Sequence, residues 1–135
     1  MTVPDVRLDE ASLLEEARER TGLSDFGDES FREPLTKLLE AIEREARLTS
    51  AGRAGQRTRL VGLLSARLQR QAWFTRHPEI EDERVDVRIV VVGFPRTGTT
   101  LLHRILAQDP RSSWIAWWEC RYPAPLPGWR MEQAR

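Results

Sequence analysis

Lysine is almost absent from this sequence: Lys37 stands alone among 21 basic residues, and the rest are arginine. Histidine is scarce, with only His77 and His103, and Cys120 is the one cysteine. A single cysteine excludes an intrachain disulfide and fits a reducing compartment. Neither histidine lies near Cys120 in the sequence, so Cys120 reads as a packing residue rather than a catalytic thiol. No charge is left over either, because 21 Lys+Arg balance 21 Asp+Glu. The totals therefore show no basic footprint for nucleic acid and no polybasic membrane anchor. No stretch approaches the roughly 20 apolar residues of a membrane span, and residues 1–5 hold no apolar core of signal-peptide length. The expectation is a soluble, cytoplasmic protein with no nucleic-acid partner and no membrane span, its oligomeric state left open.

What is present is arginine, helical periodicity and one glycine-bearing loop. The planar fork of arginine suits phosphate, but so general an excess reads first as genomic base composition. The first two-thirds of the chain look helical. Asp9 is a good N-cap for a helix to about Arg20, and Gly22 stands where a left-handed C-cap is wanted. Ser30-Phe31-Arg32-Glu33 has the form of a capping box. After it Leu35, Leu38, Leu39, Ile42 and Ala46 recur at helical spacing. A third helix is expected from about Ser50 to Thr75, with Leu60, Leu64 and Leu68 on one face, stopped by His77-Pro78.

The character changes at residues 87–92, Val-Arg-Ile-Val-Val-Val, a β-branched run bounded by charge before and glycine after. Such a run predicts a buried parallel strand. Helical spacing resumes from Thr99 to Gln108, and residues 113–118 form a second, weaker strand candidate. The fold class expected is α/β: the start of a P-loop-like parallel sheet preceded by an N-terminal helical region. The boundary falls between 1–84 and 85–135. One or two strands do not complete a sheet, and the helical pattern of 129–135 lacks a stop signal. The expectation is an incomplete domain, the N-terminal part of a longer protein.

Between strand and helix lies Gly93-Phe94-Pro95-Arg96-Thr97-Gly98-Thr99-Thr100. A strand feeding a glycine-bearing turn and a helix N-terminus converges backbone N–H groups on one point, to which the helix dipole adds positive potential. Thr97, Thr99 and Thr100 add hydroxyls, and Arg96 adds a full charge able to chelate two oxygens. The G-x4-G spacing is that of a P-loop, yet Thr99 stands where an NTPase has its lysine. A tight turn whose glycines serve packing alone is the plainer alternative.

Residues 90–102 resemble the 5′-phosphosulfate-binding loop of the sulfotransferase family, whose members use 3′-phosphoadenosine-5′-phosphosulfate (PAPS) and commonly show P-[KR]-[ST]-G-[ST]-T there. Residues 103–110, Arg18 to Leu23 and Phe31 to Leu35 also resemble the bacterial branch. The resemblance implies that Pro95, Arg96, Thr97, Gly98, Thr99 and Thr100 bind PAPS. Arg96 would neutralise charge on the leaving phosphate, and no metal is expected. It also implies transfer of a sulfuryl group to a hydroxyl or amine of a small-molecule or carbohydrate acceptor. Residues 85–135 then correspond to the start of the α/β sulfotransferase domain. The family's 3′-phosphate site has no convincing match in this sequence.

The family also uses a general base, for which Glu119 is the candidate, against the alternative of a solvated or salt-bridged carboxylate. His103, four residues after Thr99, reads as a packing residue before a base. Trp114, Trp117, Trp118 and Trp129 could line an apolar acceptor pocket or simply pack. Two other functions compete: a P-loop phosphotransferase, disfavoured by the missing lysine, and a truncated chain that binds nucleotide without turnover.

Overall fold

The first helix is fixed at both ends by the residues that cap it. In the computed structural model, which describes residues 6–125, Asp9 accepts a hydrogen bond from the Ser12 backbone N–H at 2.9 Å and opens α1, Glu10–Thr21. Gly22 closes it in the left-handed region at φ 67°, its N–H reaching Arg18 O at 2.7 Å. A side chain would strain at that angle, which is why glycine stands there.

A 3-10 turn, Glu29–Phe31, leads into α2, Arg32–Glu45. Here the capping box expected from Ser30 and Glu33 does not form. Asp28 takes the role one element earlier, accepting from Ser30 N at 2.7 Å. The long helix α3, Ser50–Arg76, starts at Thr49, whose hydroxyl accepts from Gly52 N, and ends at His77 before Pro78. A second 3-10 turn, Pro78–Asp82, leads away from it. Two more helices follow, α4 (Thr99–Leu106) and α5 (Trp117–Arg121).

The core lies among the first three helices. Leu13, Leu14 and Ala17 of α1 are buried with Val61, Leu64 and Leu68 of α3, and Leu35 and Leu39 of α2 close one side. Phe26, on the connection after α1, is buried in the same cluster and packs 5.6 Å from the Phe31 ring. Arginines of α3 fasten this arrangement from its edges. Arg57 donates to Glu16 at 2.7 Å, to Arg7 O at 2.6 Å and to Ser12 O at 3.1 Å. Arg67 donates to the carbonyls of Phe26, at 2.8 Å, and Asp28.

The expected start of a parallel sheet is not observed. Among the described residues there is no strand, and the fold is helical. Residues 83–94 are without regular structure and almost wholly exposed, Val87 at 68% and Val92 at 86%. The reason is that a β-branched run supplies strand propensity but not strand partners. A strand exists through hydrogen bonds to a neighbour, and no second extended segment pairs with 87–92. The second candidate, 113–118, is not a strand either, since its last two residues begin α5. The helix expected at 129–135 lies outside the described residues.

Two predictions follow from this packing. Leu13→Ala or Leu68→Ala, at fully buried sites, should lower stability by about 2–5 kcal/mol in chemical denaturation. Val87→Ala should change it by less than about 0.5 kcal/mol. The second concerns acid. Hydrogen bonds from Ser12, its backbone first, hold the Asp9 carboxyl below the usual range, and those from Ser30 do the same for Asp28. A carboxylate whose folded pKa is depressed stabilises above its unfolded pKa, and that contribution fades as pH falls through the ordinary aspartate value of about 3.9 towards the folded one. Asp9→Asn keeps a good cap, so it should flatten the acid limb of the stability curve while leaving stability at pH 7 nearly unchanged.

Candidate functional site

The chain enters the loop extended and turns at Pro95 and Arg96 before α4 begins at Thr99. Two residues adopt left-handed backbone within three positions, Arg96 at φ 67° and Gly98 at φ 90°. Arginine rarely takes such a conformation, so the loop holds Arg96 against its own preference. The hold is local. Thr97 Oγ1 donates to Phe94 O at 2.6 Å, closing the turn. Gly93 meets the far side of the loop so closely that a Cβ there would stand 2.7 Å from Thr99 Cγ2 and 2.9 Å from Thr97 Oγ1. Gly93 is thus a position of close approach, and Gly98 one of backbone hand.

The helix that follows has no side-chain cap. Its first amides are therefore not satisfied by a capping oxygen, which leaves the dipole end available to an anion. Arg96 is exposed beside it and has no ion pair among those seen in the structure. Pro95, Arg96, Thr97, Gly98, Thr99 and Thr100 thus form one continuous turn at a helix N-terminus. Among the described residues no group of three or more His, Cys, Asp or Glu side chains is arranged to hold a metal ion. No helix among them is long and apolar enough to cross a membrane.

An open cleft of about 720 Å³ runs from the loop along α4. Thr99, Thr100, His103, Trp114 and Trp117 are among the residues that line it. The His103 ring meets Trp114 edge-on, with centroids 6.1 Å apart. Arg104 and Gln108 also face the cleft, which sequence reading did not single out. The signal was there, since 100, 104 and 108 repeat at four-residue helical spacing. Glu119 does not line the cleft. It is half-buried on α5, and its Oε2 accepts from Ala116 N at 2.6 Å, closing the first turn of that short helix. Trp118 is outside the cleft wall and exposed, and Trp129 lies outside the described residues.

Residues 88–133 match the model of the sulfotransferase family, a span that starts just before the loop. Among solved structures, the chain is similar to sulfotransferase STF1 of Mycobacterium tuberculosis H37Rv, at 39% identity over 91% of this chain and 34% of that one, with a TM-score of 0.82. It is also similar to sulfotransferase STF9 of Mycobacterium avium, at 32% identity over 92% of this chain and 32% of that one, with a TM-score of 0.79. The chain belongs to the sulfotransferase family. It spans about a third of the length of these two relatives. No curated protein sequence matches it.

Gly98 supplies the test of the loop as a folded unit. Gly98→Ala places a Cβ in left-handed backbone, at a cost of about 1–2 kcal/mol, and should speed hydrogen exchange at the Leu102 amide, which bonds Gly98 O at 3.0 Å. Gly98→Asn should be milder, because asparagine tolerates that region.

Proposed function

We propose that this chain carries the donor-binding loop of a PAPS-dependent sulfotransferase, and that residues 95–100 seat the 5′-phosphosulfate. The observation that supports the reading most is the pair of left-handed residues at 96 and 98 ahead of an uncapped helix. That backbone aims N–H groups at a common point and puts a guanidinium beside it. The donor supplies an activated sulfuryl group. The loop's part is to be charged and hydrogen-bonding where negative charge grows on the leaving phosphate. Arg96 neutralises that charge, while the amides and hydroxyls of Thr97, Thr99 and Thr100 fix the group's orientation. The close approach at Gly93 keeps the turn narrow enough for backbone donors to converge.

The same loop accounts for a threonine, Thr99, where nucleotide hydrolases place lysine, with the cation moved to Arg96 inside the turn. A sulfuryl group carries less charge than a phosphoryl group, so one guanidinium with backbone donors serves where those enzymes add a metal. On this reading the acceptor is a hydroxyl or amine of a small molecule or carbohydrate, reaching the loop along the cleft beside Trp114 and Trp117. Glu119, the candidate for the acceptor's proton, stands off that cleft and closes the first turn of α5, so it is not assigned the base role.

Titration of the chain with 3′-phosphoadenosine-5′-phosphate (PAP), the desulfated donor, tests the assignment. Arg96→Ala should weaken PAP binding by about tenfold or more, the value of a charge-assisted hydrogen bond. Binding that is unaffected by Arg96→Ala, or a preference for magnesium-ATP over PAP, would overturn it.

A further inference from the structure

Glycine in the middle of a helix costs about 1 kcal/mol relative to alanine, and Gly62 sits well inside α3. Its reason for being there lies in another element. A methyl group at Gly62 would stand 2.8 Å from Arg121 Nη2 and 3.9 Å from Arg121 Cζ. The guanidinium of α5 is therefore laid directly on the α3 backbone, with its other neighbour the Tyr122 ring, 5.0 Å from Cζ to the centroid. Arg121 Nη1 is hidden from solvent and has no hydrogen-bond partner. Ser65 Oγ is in the same condition, and these are the two such side-chain atoms among the described residues. Ser65 follows Gly62 by three positions, so the two share one face of α3 with their side-chain positions about 5–6 Å apart. The guanidinium with the orphaned donor thus lies on the face of α3 that also carries an orphaned hydroxyl. Burying such groups unpaired costs about 1–3 kcal/mol each, a cost that a hydrogen bond between the two would relieve.

We propose that Arg121 is a positioning residue, seated on Gly62 and hydrogen-bonded to Ser65, that fastens α5 to the three-helix core. The consequence for function rests on the sulfotransferase reading. Arg121 lies two residues from Glu119 and four from Trp117, so the latch sets where the acceptor side of the cleft stands relative to the phosphate loop. It is a contact by which the second half of the described chain is laid back against α3. Arginine is needed rather than lysine, because a flat guanidinium can lie against a helix backbone where a tetrahedral ammonium cannot.

Residue-resolved hydrogen exchange on the 135-residue chain tests this. Arg121→Ala, Ser65→Ala and Gly62→Ala should each speed exchange at the Cys120 amide of α5 and the Tyr122 amide that closes it by about tenfold, leaving the amides of α1–α3 at wild-type rates. Gly62→Ala should at the same time hold or raise the denaturation midpoint of the core, since alanine favours helix. That split separates a latch from a general loss of stability. Arg121→Lys should restore little of the protection, and Ser65→Ala combined with Arg121→Ala should be no worse than Arg121→Ala alone. Wild-type exchange rates at Cys120 and Tyr122 in Arg121→Ala, or additive effects in the double variant, would overturn the proposal. A parallel PAP titration keeps the two readings apart. Failure of the wild-type chain to bind PAP counts against the donor-loop assignment, while the exchange rates judge the latch on their own.

Discussion

The three-helix core of this chain hangs on one face of α3. Val61, Leu64 and Leu68 bury themselves against Leu13, Leu14 and Ala17 of α1, at the centre of the buried cluster. An isolated helix of 12 residues such as α1 is marginal in water, whatever its caps. It persists because α3 covers its apolar stripe. The α2 helix is held more lightly, with Leu35 and Leu39 at the edge of the same cluster. Burial of apolar area against α3 is thus the term that turns three helical tendencies into one core.

Around that stripe the arginines do what leucines cannot. The segment before α1, the connection after it and the start of the 3-10 turn are irregular, so their carbonyls need donors from elsewhere. Arg53 donates to Val6 O at 3.1 Å and pairs with Glu43 through both terminal nitrogens, at 3.0 and 2.5 Å. Arg57 and Arg67 serve the carbonyls of Arg7, Phe26 and Asp28 there, and Arg57 also reaches Ser12 O in the first turn of α1. The five N–H donors of each guanidinium reach several acceptors at once, where lysine would serve as a point charge. An arginine excess that reads as base composition from the sequence is, at these three sites, the means of satisfying backbone. Composition alone could not show this, because the carbonyls they serve lie 39 to 50 residues away.

The same distinction between local and distant causes explains which features were legible. The Asp9 cap, the Gly22 terminus, the span of α3 and the turn at 95–98 each depend on residues within a few positions, and each was readable. The capping box at Ser30 failed because Asp28, two residues upstream, offered the better acceptor. The sheet failed for a different reason. The β-branched run at 87–92 describes a surface that could be buried, but hydrogen-bonded neighbours are not written in that segment. Of the site, residues 95–100 lie together as one turn, Thr99 and His103 share the cleft, and Glu119 is drawn into capping α5. That last competition, a carboxylate three residues from an exposed amide, could have been anticipated from α5 had the helix itself been recognised.

The loop keeps its shape although the segment feeding it has no strand partners, and this bears on what it can do. Its geometry comes from contacts inside residues 93–99: the Thr97 hydroxyl on Phe94 O, the narrow passage at Gly93 and the hand of Gly98. Donor direction is therefore set before any ligand arrives, the part of recognition that is costly to assemble afterwards. Donor strength is another matter. Arg96 and the amides around it face water, where a charge pair at contact is worth a fraction of its value in a sheltered site. A solvent-exposed loop can select an anion by geometry yet gain little energy from it. Exclusion of water, more than any further donor, is what would turn this recognition into transition-state stabilisation. The chain spans only about a third of its mycobacterial relatives, so on the sulfotransferase reading it defines the aim of the donor site, and its strength depends on whatever surrounds the loop.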